Sequence, residues 1–226
     1  MFRRSCLRLI IIVAIPLLGV CASLSADDLM YPDLVPFVDE QRPYLGNWDL
    51  QGDTLRIQSV FGNVGDGVFE IRRSDDPPID DRFDVNQRVY YSSDPFGSFE
   101  EFFANTAVYH GGHGHIHFED MTNFDLLEVT MDNGLLGEGD RVAGVSKVSS
   151  NLHDITSLDN TVRWGDYTGY PSFDGGNSGL RQIVSVGHGD VYNFGTSGQS
   201  FDIGGIPKGQ FYWLRQTVDP ANVIRE

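Results

Sequence analysis

Short runs rich in Val, Ile, Tyr and Phe recur along this chain between clusters of Gly, Asp, Asn and Ser, while the three-to-four spacing of a buried helix face is scarce. The clearest runs are Leu55 to Val60, Gly67 to Ile71, Arg88 to Tyr91 and Phe124 to Thr130. The C-terminal part adds Gln199 to Gly204 and Phe211 to Val218, with a turn at Pro207-Lys208-Gly209. β-branched and aromatic side chains favour the pleated, half-buried surface of a sheet, so the pattern predicts an all-β, sandwich-like domain with long irregular loops. Asn63-Val64-Gly65-Asp66-Gly67 tolerates positive φ and predicts a hairpin. Ser74 to Val85 reads as a loop, and Ser92 to Asn105 as a loop with one helical turn at Phe99 to Phe103. The irregular stretch from Ser157 to Gly179 carries Trp164, Tyr167 and Tyr170, which predicts an ordered insertion.

The N-terminus sets the compartment. Arg3, Arg4 and Arg8 accompany an apolar run from Leu9 to Val20, followed by the small residues Ala22, Ser23, Ser25 and Ala26. That order is a secretory signal, and the run is shorter than the ~20 residues that span a bilayer. Residues 1–26 are read as removed and 27–226 as one domain, secreted or periplasmic and without stable membrane insertion. Val20 stands where a lipoprotein signal needs a small residue, so Cys21 is not read as a lipid site. Cys6 and Cys21 both lie in the removed segment, so the mature chain depends on its core and not on disulfides. Losing three of 16 basic residues and none of 32 acidic ones leaves a net charge near −19. Such a surface repels nucleic acid and attracts cations.

Four of the six histidines fall within His110-Gly111-Gly112-His113-Gly114-His115-Ile116-His117. In a strand, alternate residues share a face, so His113, His115 and His117 project together while Gly114 and Ile116 face the other way. A straight strand would hold the outer two about 13 Å apart, so one ion reaches all three only where the strand bends, and Gly114 gives that freedom. Imidazole suits copper, zinc, nickel and iron, and the pattern alone does not choose among them.

Tyr109 to Leu127, with Phe118-Glu119-Asp120 and Asp125-Leu126-Leu127 after the histidines, resembles the copper-binding stretch of the lysyl oxidase family. Lys147-Val148-Ser149 to Leu152-His153-Asp154 is similar to the segment whose lysine enters that family's cofactor. Ser185 to Ile203 is similar to the segment holding its cofactor tyrosine, with Gly187-His188-Gly189-Asp190-Val191-Tyr192 aligning that tyrosine to Tyr192. Pro32-Asp33-Leu34-Val35 and Leu55 to Phe69 also resemble the family's early region, so the likeness covers most of residues 31–226 and is weakest from Ser157 to Gly179. Asn151 and His188 stand where animal members have Cys, which resembles the bacterial branch. The resemblance implies a further strand, since members of that family usually continue past the point matching Val223-Ile224-Arg225-Glu226.

The resemblance implies copper bound by His113, His115 and His117, with His110 orienting a ligand or a water. It implies a lysine tyrosylquinone built from Lys147 and Tyr192. The implied reaction takes a primary amine, or lysine on a protein partner, with molecular oxygen, and yields an aldehyde, ammonia and hydrogen peroxide. By themselves Lys147 reads as a solvated lysine and Tyr192 as a packed strand tyrosine. Asp190, two residues before Tyr192, is the first choice of base, with Asp202 and His153 as alternatives. The competing expectation is a non-catalytic secreted β-sandwich that binds copper or zinc through the histidines.

Amines are mostly protonated at neutral pH, so a surface near −19 concentrates them. Amine turnover at low substrate should therefore fall as salt rises from about 0.01 to 0.15 M, where the Debye length shrinks from about 30 to about 8 Å. Lysine-rich proteins should lose most in steady-state assays. Salt-independent oxidation of both a lysine-rich protein and a small monoamine would remove the steering idea.

Overall fold

The computed structural model describes residues 28–37, 48–76, 78–79, 81–110, 115–147, 152–154, 156–158 and 181–226. Residues 1–26, read as a secretory signal, His113 and most of the insertion read from 157 to 179 lie outside the described residues. The described strands are β1 (Leu29–Met30), β2 (Leu34–Pro36), β3 (Trp48–Gln51), β4 (Thr54–Ile57), β5 (Ser59–Asn63) and β6 (Phe69–Arg73). They continue as β7 (Arg82–Tyr91), β8 (Asp94–His110), β9 (His115–Phe118), β10 (Thr122–Asp132) and β11 (Leu135–Lys147). The series ends with β12 (Thr156–Ser157), β13 (Arg181–Val184), β14 (His188–Tyr192), β15 (Ser200–Asp202) and β16 (Tyr212–Val218). The fold is all-β, as the spacing of apolar residues predicts. Among the described residues no helix is long and apolar enough to cross a membrane.

The described strands form four sheets. The largest runs β13-β6-β7-β8-β9, with β1 also on β7; a second runs β12-β14-β5-β2. Phe69, Ile71, Val85, Ala104, Ala107, Ile116 and Phe118 from the first pack with Leu34, Phe61 and Tyr192 from the second in one buried cluster. The remaining sheets, β15-β4-β3 and β11-β10-β16, pack through Ile57, Phe201 and Phe124, with Ala143 and Val145 alongside. Each large apolar side chain removed from water contributes about 1.5–3 kcal/mol, so these two clusters supply the main drive to fold.

Period-two burial explains β7, where Val85, Gln87 and Val89 are buried between more accessible neighbours. Gln87 stays in that apolar row because its amide pairs with the backbone of Arg225: Arg225 N–H donates to Oε1 at 2.7 Å, and Nε2 donates to the Arg225 carbonyl at 2.9 Å. Ile224 next to it is buried in the main cluster, and the Glu226 carboxylate accepts from Leu34 N–H at 2.9 Å. The C-terminal residues are thus tied to β7 and β2.

Three sequence expectations need correction. Ser92 to Asn105 is not a loop with a helical turn, since β8 begins at Asp94 and pairs along β7. Phe99, Phe102 and Phe103 carry a helix-like spacing although each pairs with β7, and the ladder shifts register just beyond them, where Asn105 faces Val85 but Phe103 faces Asn86. Ala104 is the extra residue of that bulge, so Ala104 and Ala107 are both buried three apart. β7 also takes Arg82 to Val85 from the predicted Ser74 to Val85 loop.

The Asn63 to Gly67 turn is not a hairpin either, because it carries the chain from β5 in one sheet to β6 in another. Neither Gly65 nor Gly67 has positive φ. They are required by close approach: a Cβ at Gly65 would collide with the Asp33 amide and the Tyr31 carbonyl, and one at Gly67 with the Met30 carbonyl. Asn63 organises the crossing. Its Nδ2 donates to the Gly67 carbonyl at 2.8 Å and the Val184 carbonyl at 3.2 Å, while its Oδ1 accepts from Asp33 and Gly65 N–H, both at 3.1 Å.

A buried carboxylate fixes the outer edge of the large sheet. Glu70 on β6 accepts from Arg72 at 2.6 Å, Arg181 at 2.7 Å and the Tyr90 hydroxyl at 2.7 Å. Burial alone would raise the Glu70 pKa, but the hydrogen bonds from Arg181, Arg72 and Tyr90 outweigh it and hold the group below the usual carboxylate range. Burial, then the bond to Glu70, pushes Tyr90 up to about 12.

Asn63→Ala leaves several backbone groups without partners in a fully buried site, so it should lower stability by about 3 kcal/mol or more in urea denaturation. A loss below about 1 kcal/mol would show that the crossing does not depend on the carboxamide.

Candidate functional site

Among the described strands, the histidine strand is an edge. β9 pairs with β8 in a register that sets His115 opposite His110 and His117 opposite Val108. Directly opposed residues share a face, so positions 110, 115 and 117 lie on one face of the β8–β9 hairpin. Ile116 and Phe118 turn the other way and are buried in the main cluster, leaving His117 partly exposed. The alternation read in the sequence is therefore present in β9. His113 and the side chains of His110 and His115 lie outside what the structure describes, and among the described residues no three His, Cys, Asp or Glu side chains gather to hold a metal. The donor type fits a copper ion in kind, since imidazole is a ligand that copper accepts, as zinc, nickel and iron do.

The turn after β9 is firmly held. Glu119 N–H donates to the Thr106 carbonyl at 3.0 Å, and Asn105 Nδ2 donates to the Glu119 carbonyl at 3.1 Å. The Glu119 carboxylate accepts from Arg82 at 3.0 Å and from the Thr106 hydroxyl at 2.5 Å. Arg82 is the main reason its pKa lies below the ordinary value, against the opposing effect of burial. Asp120, with φ 54, then turns the chain into β10. Lys147 closes β11 opposite Thr122, the first residue of β10, so its backbone sits beside the chain just leaving the histidine strand. The Lys147 side chain is outside the described residues.

β14 runs against β5 with Asp190 opposite Phe61 and Tyr192 opposite Ser59. Asp190 and Tyr192 share a face and are 1% and 3% exposed. The Tyr192 ring stacks on Phe61 with centroids 6.1 Å apart and 23° between planes. Beside Tyr192 in register, the Ser59 hydroxyl donates to Gln199 Oε1 at 2.9 Å, and Gln199 is fully buried. On the other face Gly62 and Gly189 oppose each other, and a Cβ on Gly62 would strike Leu158, so the glycine pair seats that side chain.

The segment Leu152 to Asp154 joins these parts. Gln182 on β13 donates from Nε2 to the Ile116 carbonyl of β9 at 2.6 Å and accepts at Oε1 from Leu152 N–H at 3.4 Å. Two residues on, the Asp154 carboxylate accepts from Ser185 N–H at 2.7 Å and Ser185 Oγ at 2.6 Å. Ser185 begins the turn, with Gly187 at φ 74, that leads into β14. Leu152, Ile116 and Tyr192 meet in one cluster. Burial pushes the His153 pKa down against the opposing pull of Asp154, favouring a neutral imidazole at neutral pH.

Of the base candidates, Asp190 and His153 lie in this region. Asp202 does not share the Tyr192 face: it is exposed on β15, where Oδ1 accepts from Gly204 N–H at 2.9 Å as a turn residue. Sequence reasoning missed Gln182, Ser59 and Gln199 as site elements. Only Gln199 had left a trace, as part of the Ser185 to Ile203 resemblance. No protein-family model matches this chain, and a search of curated proteins finds no match.

His115→Ala removes the middle imidazole of the alternating set and should abolish most copper binding in equilibrium dialysis, whereas His153→Ala should retain it. Equal copper retention by the His115 variant and the parent would show that β9 is not the metal strand.

Proposed function

We propose that this chain is an exported copper-dependent amine oxidase of the lysyl oxidase type. Copper is assigned to His113, His115 and His117, and a lysine tyrosylquinone to Lys147 and Tyr192. The net reaction takes a primary amine, oxygen and water to an aldehyde, ammonia and hydrogen peroxide. Lysine on a protein partner is the proposed substrate class, consistent with the acidic surface.

The observation that carries the reading is the convergence of three segments distant in sequence. β9, the stretch that follows Lys147, and the β13–β14 turn are joined by the Gln182 and Asp154 hydrogen bonds and share the cluster holding Tyr192. When bound, copper and quinone would supply the oxidising equivalents and the carbonyl that captures an amine. The chain's own residues would supply placement and proton transfer. Asp190, on the Tyr192 face, is assigned the proton leaving the carbon that bears the nitrogen; neutral His153 is the alternative acceptor. Burial around Tyr192 would exclude bulk water from the reacting ring.

A second reading rests on Tyr192 itself. Its stacking on Phe61 inside an apolar cluster is also the environment of a structural tyrosine, which favours a non-catalytic copper- or zinc-binding β-sandwich. Aerobic copper loading separates the two. The oxidase reading expects a visible-absorbing phenylhydrazine adduct and a covalent Lys147 to Tyr192 cross-link in peptide mass maps, both lost in Tyr192→Phe. Stoichiometric copper with Lys147 and Tyr192 only in unmodified peptides would leave the binding protein standing and remove the oxidase.

A further inference from the structure

Among the described strands, the path of the large sheet ends at β13 on one side and β9 on the other. Their backbones share no ladder, yet one side chain spans the gap between them. Gln182 of β13 reaches the Ile116 carbonyl at 2.6 Å, so the sheet curls until its first and last strands are one side chain apart. Its other amide atom accepts Leu152 N–H, and the buried Leu152 side chain joins the main cluster. The carboxamide thus does at the seam what a peptide group does within a ladder, offering a donor to one strand and an acceptor to the other segment.

Three features make this contact specific. Gln182 is 2% exposed, so an unmade bond would not be replaced by bulk water. The residue before it, Arg181, is clamped at 2.7 Å to the buried Glu70, and Gln182 pairs in register with Ile71, which fixes where the side chain starts. The accepting carbonyl belongs to the peptide linking Ile116 to His117, so the bond orients a peptide plane between two of the assigned ligands.

We infer that Gln182 is a positioning residue of the metal centre, holding β9 against the Leu152 to Asp154 segment so that the histidines keep ligating geometry. This rests on the functional reading above, at least on its metal site. Coordination tolerates only about 0.5 Å of misplacement, and partners lying outside the ligands typically change metal affinity by about 10–100-fold.

The test compares the parent with Gln182→Met, which keeps length but loses both bonds, and with Gln87→Met as a control. Gln87 is also buried, also makes two bonds to backbone, and lies on β7 of the same sheet. Copper(II) affinity is measured by chelator competition, copper hyperfine coupling by electron paramagnetic resonance, and stability by urea denaturation. Gln182→Met should bind copper at least about tenfold more weakly with altered hyperfine coupling, while Gln87→Met keeps the parent's affinity and spectrum. Parental affinity and spectrum in Gln182→Met, or equal weakening in both variants, overturns the inference.

Should Gln182→Met fail to fold, nitrogen-15 spectra of the parent decide. Copper(II) should broaden the Gln182 side-chain amide and the Leu152 amide and leave the Gln87 side chain sharp. Sharp Gln182 signals in copper-loaded protein overturn the inference. A parent that binds no copper overturns the functional reading and this inference together, whereas a copper-binding parent with an indifferent Gln182→Met overturns the inference alone.

Discussion

The architecture depends on Asn63. One carboxamide binds backbone groups before β2, before β6 and at the end of β13, and the Asn63 carbonyl accepts Gly187 N–H at 2.8 Å just before β14. A side chain with two donors and a two-lone-pair acceptor can satisfy four such groups at once, which neither aspartate nor leucine can do. The crossing between the two largest sheets is held there, and with it the place where β14 begins. Gly65 and Gly67 belong to the same device, since only a residue without Cβ lets the β1–β2 segment pass so close.

From that crossing the rest of the candidate site is assembled by polar contacts within an apolar interior. Ile116, Phe118, Leu152, Phe61 and Tyr192 supply burial, but burial is non-directional and would tolerate β9 in several positions. Direction comes from the Gln182 amide at one end of the Leu152 to Asp154 segment and the Asp154 carboxylate at the other. Each is buried or partly buried, where an unmade hydrogen bond costs more than a made one contributes. The Glu70 cluster acts in the same way on β13, trading the cost of burying a carboxylate for bonds from Arg72, Arg181 and Tyr90.

The sequence by itself determined the class of fold and the alternation within β9. Alternation is a local property, so Ile116 and His117 declare the faces of β9 without knowledge of its partner, whereas of β7 only Arg88 to Tyr91 was legible and Val85 was read as loop. The segments around Lys147 and Tyr192 were marked only by resemblance, since neither residue type carries a signal of its own.

Tertiary structure decided what pairs with what. Asn63 to Gly67 has the composition of a hairpin, yet it links two sheets, because the partners of β5 and β6 lie far along the chain. The phenylalanines of β8 imitate a helix until β7 pairs with them and a bulge at Ala104 resets the alternation. Gln182 shows the limit most clearly. A lone glutamine between Arg181 and Ile183 predicts nothing, because its role comes from two strand edges that meet only when the sheet curls. Periodicity reports which face of a strand is buried; the identity of the group across a seam is a non-local fact, settled by where the chain returns.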